Sequence, residues 1–215
     1  MSAYNESYLY DAMRNLADAT DYAVNYKKMK IEKFYDCLIV SGVADRFANC
    51  NPKYIAGISG MELADLAISK AGIKTADEIR QPYRKELNKS REYWVGWILT
   101  YWQWSSERSF EEMLAWVPAE KILQMYNPYH EADEQKFVDD VEKWIEEEEQ
   151  KRPTKLAIKR NIIGLSQSEL AKKSGVNIRS IQQYEQRTKD IKKASVETVM
   201  KLAKALYCKV ENIIQ

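Results

Sequence analysis

Apolar residues recur at every third or fourth position along most of the chain, which is the spacing of one face of an α-helix. The candidate helical segments before the basic C-terminal region are 7–25, 30–49, 60–71, 76–87, 91–105, 110–116, 119–126 and 133–149. Three of them follow a capping-box pattern, in which Ser or Thr precedes Glu by three positions: Ser59 to Glu62, Thr75 to Glu78 and Ser109 to Glu112. We therefore predict an all-α protein in which residues 1–149 form a helical N-terminal domain.

The stretch from Tyr93 to Trp104 is apolar on all sides, which is typical of a helix at the centre of a domain. It is shorter than the roughly 20 residues that a membrane span needs, so we expect a cytoplasmic protein. Its four tryptophans are Trp94, Trp97, Trp102 and Trp104. We favour a core role for them, and the alternative is a surface for a ligand or protein partner, where Trp is enriched.

The charge of the chain changes sign where four glutamates, 146–149, are followed by Lys151, Arg152 and Pro153. Because proline interrupts a helix, we predict a linker at 149–154 and a second domain at 154–215. Residues 151–215 contain 15 Lys and Arg against 5 Asp and Glu, a net charge of +10, whereas residues 1–150 contain 18 against 27, a net charge of −9. A basic domain favours a polyanion partner, since lysines that neutralise phosphates release condensed counterions. Two alternatives are attraction between the two halves and imitation of DNA phosphates by the glutamate run.

Two short helices joined by a tight turn are predicted inside the basic domain. A first helix at 155–163 precedes a second helix at 167–173, which Ser166 caps. Gly175 then allows a sharp turn, and Asn177 caps a third helix that runs to about residue 186. The spacing matches the helix-turn-helix unit, whose second helix enters the major groove of DNA.

The string Gly164-Leu-Ser-Gln-Ser-Glu-Leu-Ala-Lys-Lys-Ser-Gly-Val, followed by Ile181-Gln-Gln-Tyr-Glu and Leu202-Ala-Lys-Ala-Leu, resembles the XRE family. This is the helix-turn-helix group of the lambdoid Cro and repressor proteins. The resemblance covers about 60 residues and fills nearly every position of the family pattern. It implies double-stranded DNA as the partner and a five-helix domain, with a fourth helix at 196–206 and a short fifth one at 210–214.

The resemblance also implies which side chains read the bases. They lie on the third helix: Ile178, Arg179, Ser180 and Gln183. Arginine can bind guanine and glutamine can bind adenine through paired hydrogen bonds, each worth about 1–3 kcal/mol of discrimination. Ile178 departs from the polar residue common at its position. Two interpretations of Ile178 stay open: it packs against a thymine methyl group, or the protein distinguishes DNA sequences less strongly at this position.

Phosphate contacts are implied for Gln167 and Asn177 at helix N-termini and for three lysines of the following loop, Lys189, Lys192 and Lys193. A solvated loop is the alternative for the lysines. Arg160 and Glu185 coincide with a family ion pair between the first and third helices, so we assign them to the scaffold. Arg187 replaces a glycine that often ends the third helix.

No catalytic or metal-binding pattern is present in the sequence. Cys37, Cys50 and Cys208 are widely spaced and odd in number, which predicts reduced cysteines. His130 is the single histidine, and no Gly-rich phosphate loop occurs. We therefore expect a protein that is not an enzyme and that needs no cofactor and no metal.

Two functions of different classes fit this pattern. The first is a transcriptional regulator, most often a repressor in this family, whose N-terminal domain forms a homodimer or senses a ligand. The second is an antitoxin, which neutralises a toxin through the acidic N-terminal domain and controls its own operon through the basic one.

Overall fold

The computed structural model describes residues 3–73 and 89–214. Within these two ranges the chain forms thirteen α-helices and no β-strand, which confirms the all-α class. No helix among them is long and apolar enough to span a membrane. The chain divides into two compact units, Met1–Glu142 and Lys143–Gln215.

Nine α-helices precede the basic region: α1 Leu9–Asp21, α2 Ile31–Val40, α3 Val43–Ala48, α4 Gly60–Lys70, α5 Arg91–Ser106, α6 Phe110–Trp116, α7 Ala119–Gln124, α8 Tyr126–Tyr129 and α9 Glu134–Lys151. Short π-helical segments occur at Tyr22–Tyr26 and Lys53–Gly57. The predicted helix at 76–87 and its capping pattern at Thr75 to Glu78 lie outside the described residues.

The predicted helix at 30–49 was wrong in one respect, because it is two helices. Gly42, between α2 and α3, has a φ of +69°. A left-handed residue cannot continue a right-handed helix, and glycine adopts this conformation without a steric penalty. The apolar spacing continues on both sides of Gly42, so the spacing alone did not reveal the break.

Local capping explains where α4 and α6 begin. Ser59 accepts a hydrogen bond from the backbone of Glu62, and the Glu62 carboxylate accepts one in return from the Ser59 backbone at 2.8 Å. Ser109 and Glu112 form the same reciprocal pair. Each box satisfies backbone N–H groups that would otherwise have no partner inside the helix.

The N-terminal unit is organised around the contact between α1 and α5. Gly96 allows this contact, since a Cβ atom there would lie 2.6 Å from the Leu16 carbonyl oxygen and 2.7 Å from the Ala17 Cα. Val95 and Leu99 of the same helix are buried. The close approach of α5 to α1 therefore requires a residue without a side chain at position 96.

The four tryptophans of α5 differ in their surroundings. Trp102 has 0% exposure and donates to Glu142 Oε1 at 2.6 Å, so it belongs to the core, and the alternative of a partner surface does not hold for it. Trp94 packs edge-on against Phe137 and Tyr126. Trp97 and Trp104 are partly exposed, and each donates its indole N–H to a neighbour within the unit.

The C-terminal unit contains the end of α9 and four further helices: α10 Lys155–Ile162, α11 Gln167–Ser174, α12 Ile178–Glu185 and α13 Val196–Ala205. Their apolar faces meet in one core: Leu156, Leu170, Val176, Ile181, Tyr184, Ile191, Val199, Leu202, Leu206 and Ile213. The fifth helix expected at 210–214 is instead a 3-10 turn, Val210–Asn212. Where a linker was expected at 149–154, α9 continues to Lys151 and Thr154 caps α10.

Candidate nucleic-acid interface

The second helix of the basic unit begins with a complete capping box. The Glu169 amide donates to Ser166 Oγ at 3.2 Å, and the Ser166 amide donates to Glu169 Oε2 at 2.7 Å. Hydrogen bonds from the Ser166 hydroxyl and from its backbone N–H lower the pKa of Glu169, because they stabilise the charged carboxylate. Gln167 is the first residue of α11, so its position is fixed by the cap beside it.

The turn between α11 and α12 is held by a serine and a glycine. Ser174 Oγ donates to the Leu170 carbonyl at 2.7 Å and accepts from the Val176 amide at 3.2 Å. Gly175 has a φ of +70°, which a side chain would disfavour. Val176 is buried, so the turn is anchored to the core while α12 starts in a new direction.

The third helix presents a polar face to solvent. Ile181 and Tyr184 are buried in the core, whereas Ile178 and Arg179 are exposed and Ser180 and Gln183 are partly exposed. Arg179 and Gln183 are four residues apart and therefore share a face. The Arg179 guanidinium has no hydrogen bond or ion pair with the part of the chain that the structure describes. This face can therefore offer a cation and a carboxamide to a ligand.

Asn177 has a structural role at the start of α12. Its side-chain oxygen accepts the Arg179 backbone N–H at 2.8 Å. The carboxamide nitrogen, with its two hydrogens, stays available for a phosphate, so the predicted phosphate contact is compatible with the cap.

Three helices are joined by one carboxylate. Glu185 of α12 accepts two hydrogen bonds from Arg160 of α10, Nε to Oε1 at 2.7 Å and Nη2 to Oε2 at 2.9 Å. It also accepts from Gln167 Nε2 of α11 at 2.8 Å, on the same Oε2 atom. The hydrogen bonds with Glu185 raise the pKa of Arg160. The pair that the resemblance assigns to the scaffold thus also holds the side chain expected to contact phosphate.

The loop after α12 is basic and exposed. Lys189, Lys192 and Lys193 all lie on the surface, and the Lys189 ammonium is 5.6 Å from the centre of the Tyr184 ring. Asp190 caps the 3-10 turn Ile191–Lys193 through the Lys192 amide at 2.8 Å. Lys192 and Lys193 therefore lie in a defined turn, and Lys189 precedes that turn in the segment after α12.

Sequence reasoning missed the contact made by Arg187. This residue has a φ of +57°, and its Nη1 donates to the Arg152 carbonyl oxygen at 2.7 Å, just beyond the end of α9. A side chain thus occupies a left-handed position where glycine is common, and it gains a hydrogen bond that glycine cannot make. The replacement of glycine was the only signal in the sequence, and it does not specify the partner.

A comparison with protein-family models matches residues 156–211 to the family described as Helix-turn-helix. No curated protein and no solved structure matches the chain. The matched segment begins inside α10 and ends in the 3-10 turn after α13, so it contains the capped α11, the Gly175 turn and α12. The resemblance of the C-terminal unit to the XRE family is thereby confirmed, and this unit is a helix-turn-helix domain of the DNA-binding type.

Proposed function

We propose that the protein is a sequence-specific transcriptional regulator that inserts α12 into the major groove of double-stranded DNA. The observation that supports this most directly is the solvent-facing pair Arg179 and Gln183 on a helix whose opposite face is buried. Long donors on a rigid helix are the groups that distinguish base pairs in the major groove. Ile178 and Ser180 flank the pair and would complete the reading face.

Phosphate contacts on both sides of α12 would set its position in the groove. Gln167 and Asn177 lie at the starts of α11 and α12, where backbone N–H groups point outward and attract anions. Lys189, Lys192 and Lys193 follow the other end of α12. Such contacts orient a protein on DNA and carry no sequence information themselves.

Repression is the regulatory outcome that we favour, since a domain bound across a promoter excludes the transcription machinery by occupancy alone. If two copies bind as a homodimer, the half-sites should be about 34–36 Å apart, which is one helical turn of DNA. The site of action would be the cytoplasm, where the DNA of a cell without a nucleus lies.

The experiment that tests this proposal is selection of duplexes bound by the full chain from a random pool. We expect enrichment of a defined motif, together with an affinity that falls steeply as salt rises. Arg179→Ala and the matched surface variant Lys204→Ala each remove one cation, and Lys204 lies outside the proposed interface. A preference that is relaxed at one position of the motif in the first variant alone supports base reading by α12. Failure of the unmodified protein to enrich any motif contradicts the proposal.

An antitoxin is the second candidate, and the observation that favours it is the net charge of −9 over residues 1–150. A basic toxin would be complementary to it. Co-expression with the product of the adjacent gene separates the two candidates: growth arrest by that product, relieved by the full chain, supports the antitoxin. A neighbouring product without effect on growth counts against it.

A further inference from the structure

Aromatic side chains form a stripe along one face of α5. Tyr93, Trp97, Tyr101 and Trp104 recur at intervals of three or four residues and therefore lie on the same side of the helix. Tyr10 of α1 adds a fifth ring, which meets Trp97 edge-on with centroids 5.6 Å apart and is 63% exposed. We call these five residues the aromatic stripe.

The polar edges of the stripe are already in use. Trp97 Nε1 donates to Glu134 Oε1 at 2.7 Å, and Trp104 Nε1 donates to the Tyr4 carbonyl at 2.7 Å. The Tyr101 hydroxyl donates to Gln135 Oε1 at 3.0 Å. The rings of Trp97, Tyr101 and Trp104 are held in place by these bonds while part of their surface faces solvent. Ring faces, rather than hydrogen-bonding groups, are what the stripe offers to a ligand.

Carboxylates lie beside the middle of the stripe. Glu134 bonds to Trp97, and Asp139 accepts from Gln135 Nε2 at 2.8 Å, directly behind the bond from Gln135 to Tyr101. Asp133 caps the same turn of α9 through the Gln135 amide at 2.8 Å. Burial raises the pKa of Tyr101, and the nearby charges of Asp133, Glu134, Asp139 and Glu6 raise it further. The surface is therefore aromatic at its centre and negative beside Trp97 and Tyr101.

One end of the stripe already holds a cation. The Lys89 ammonium lies 3.5 Å from the centre of the Tyr93 ring. A positive charge over an aromatic face is stabilised by the ring quadrupole. Tyr93 is only 7% exposed, and the contact shows that a ring of the stripe accepts an ammonium group.

We infer that the aromatic stripe is a docking surface for a cationic segment of a partner protein. Lysine or arginine side chains of that segment stack on the exposed faces of Trp97, Tyr101 and Tyr10 and pair with Asp133, Asp139 and Glu6. Charge complementarity decides the class of partner, since the same carboxylates repel the phosphates of nucleic acids and the headgroups of anionic membranes. The inference is independent of DNA binding by the C-terminal unit.

The test is a calorimetric titration of the full chain with an acetylated peptide of about 12 residues in which Arg and Ser alternate. At an ionic strength of about 0.15 M, exposed charges more than about 8 Å apart are largely screened, so local contacts dominate. The same peptide with citrulline in place of Arg keeps the shape and removes the charge. We expect the first peptide to bind with a Kd below about 1 mM and the second peptide not to bind.

Two triple variants of equal net charge locate the binding site. Glu6→Gln/Asp133→Asn/Asp139→Asn removes three charges at the stripe and keeps the oxygens that accept hydrogen bonds. Glu146→Gln/Glu147→Gln/Glu149→Gln removes three charges from the exposed glutamate run of α9. We expect binding to weaken about tenfold in the first variant and less than about twofold in the second.

A second pair of variants tests the rings. Tyr10→Ala removes an exposed ring of the stripe, whereas Tyr8→Ala removes a tyrosine that is also exposed, at 50%, and has no ring contact with the stripe among the described residues. We expect about threefold weaker binding in Tyr10→Ala and no change in Tyr8→Ala. Because both side chains are exposed, this pair remains decisive if the first triple variant does not fold. Equal losses within either pair, equal binding of the citrulline peptide, or no binding at all would overturn the inference.

Discussion

Glu185→Gln is the substitution that tests how the helix-turn-helix unit is held together. The Glu185 side chain is 6% exposed and that of Arg160 is 12% exposed, and two short hydrogen bonds join them. Glutamine has nearly the same shape and keeps one acceptor oxygen, but it removes the negative charge. Arg160 then stays in place as a cation without a counter-charge.

The expected cost follows from these contacts. Loss of one partner of a buried ion pair costs about 3–5 kcal/mol, and one charge-assisted hydrogen bond contributes about 1.5–3 kcal/mol. Arg160 retains its bonds to the Leu165 carbonyl at 2.7 Å and to Asn161 Oδ1 at 2.8 Å. We therefore expect the free energy of unfolding of this unit to fall by about 2–3 kcal/mol, which is at or just below the lower limit of the range for buried pairs because Arg160 keeps these bonds.

Amide hydrogen exchange measures this change in the C-terminal unit alone, because it reports the opening of individual helices. Protected amides of α10 and α12 should exchange about 30- to 140-fold faster, given that 1.4 kcal/mol is a factor of ten. Glu197→Gln is the matched control. It removes an equally short ion pair, Glu197 to Lys201 at 2.6 Å, in which both side chains are at least half exposed.

For the exposed pair we expect a change below about 0.5 kcal/mol. If Glu185→Gln has no larger effect than Glu197→Gln, the carboxylate does not hold the three helices together. The assignment of Arg160 and Glu185 to the scaffold would then be refuted.

Three further predictions concern DNA reading, core packing and acid sensitivity. Arg179→Ala should reduce discrimination at one base pair by about 1–3 kcal/mol, whereas Gln167→Ala should weaken binding to all duplexes alike. Competition with mismatched duplexes measures both effects. An unchanged sequence preference in Arg179→Ala would contradict base reading by this residue. Gly96→Ala should lower the free energy of unfolding measured by calorimetry by about 3 kcal/mol, because the new Cβ would meet the Leu16 carbonyl. Gly72 has open space around it but a φ of +69°, so Gly72→Ala should lower the free energy of unfolding by only about 1 kcal/mol. Hydrogen bonds from Ser59 and Ser166 lower the pKa values of Glu62 and Glu169. In an NMR titration, both carboxylates should therefore show a lower pKa than glutamate in an unstructured peptide. The caps then stabilise α4 and α11 at a pH above the glutamate pKa of the unfolded chain, and this stabilisation is lost as the pH falls through the pKa of the folded chain. A measured pKa at or above the peptide value would contradict this prediction.

Local signals made most of the helix starts predictable from the sequence. Ser59, Ser109 and Ser166 each act within three residues of their partner, so the pattern contains the whole interaction. Gly175 is similar, since the turn needs a residue that tolerates a positive φ. Features of this kind need no knowledge of distant parts of the chain.

The features that the sequence did not reveal depend on residues far apart along the chain. The side-chain amide of Gln167 donates to Glu185, 18 positions away along the chain, and the Arg187 side chain donates to the Arg152 carbonyl, 35 positions away. Neither distance follows from helical spacing. The break at Gly42 was missed for a different reason, because a single residue changes the direction of the chain while the apolar spacing continues on both sides.

The shared oxygen of Glu185 links two properties of the DNA-binding unit that can vary separately in other arrangements. Oε2 accepts hydrogen bonds from both Arg160 and Gln167, so the same atom secures the fold and holds the side chain that we propose contacts the phosphate backbone. A substitution at position 160 or 185 that loosens the unit also lets Gln167 rotate, and thermal stability and DNA affinity should then decline together. Among natural variants we accordingly expect positions 160, 167 and 185 to change as a set.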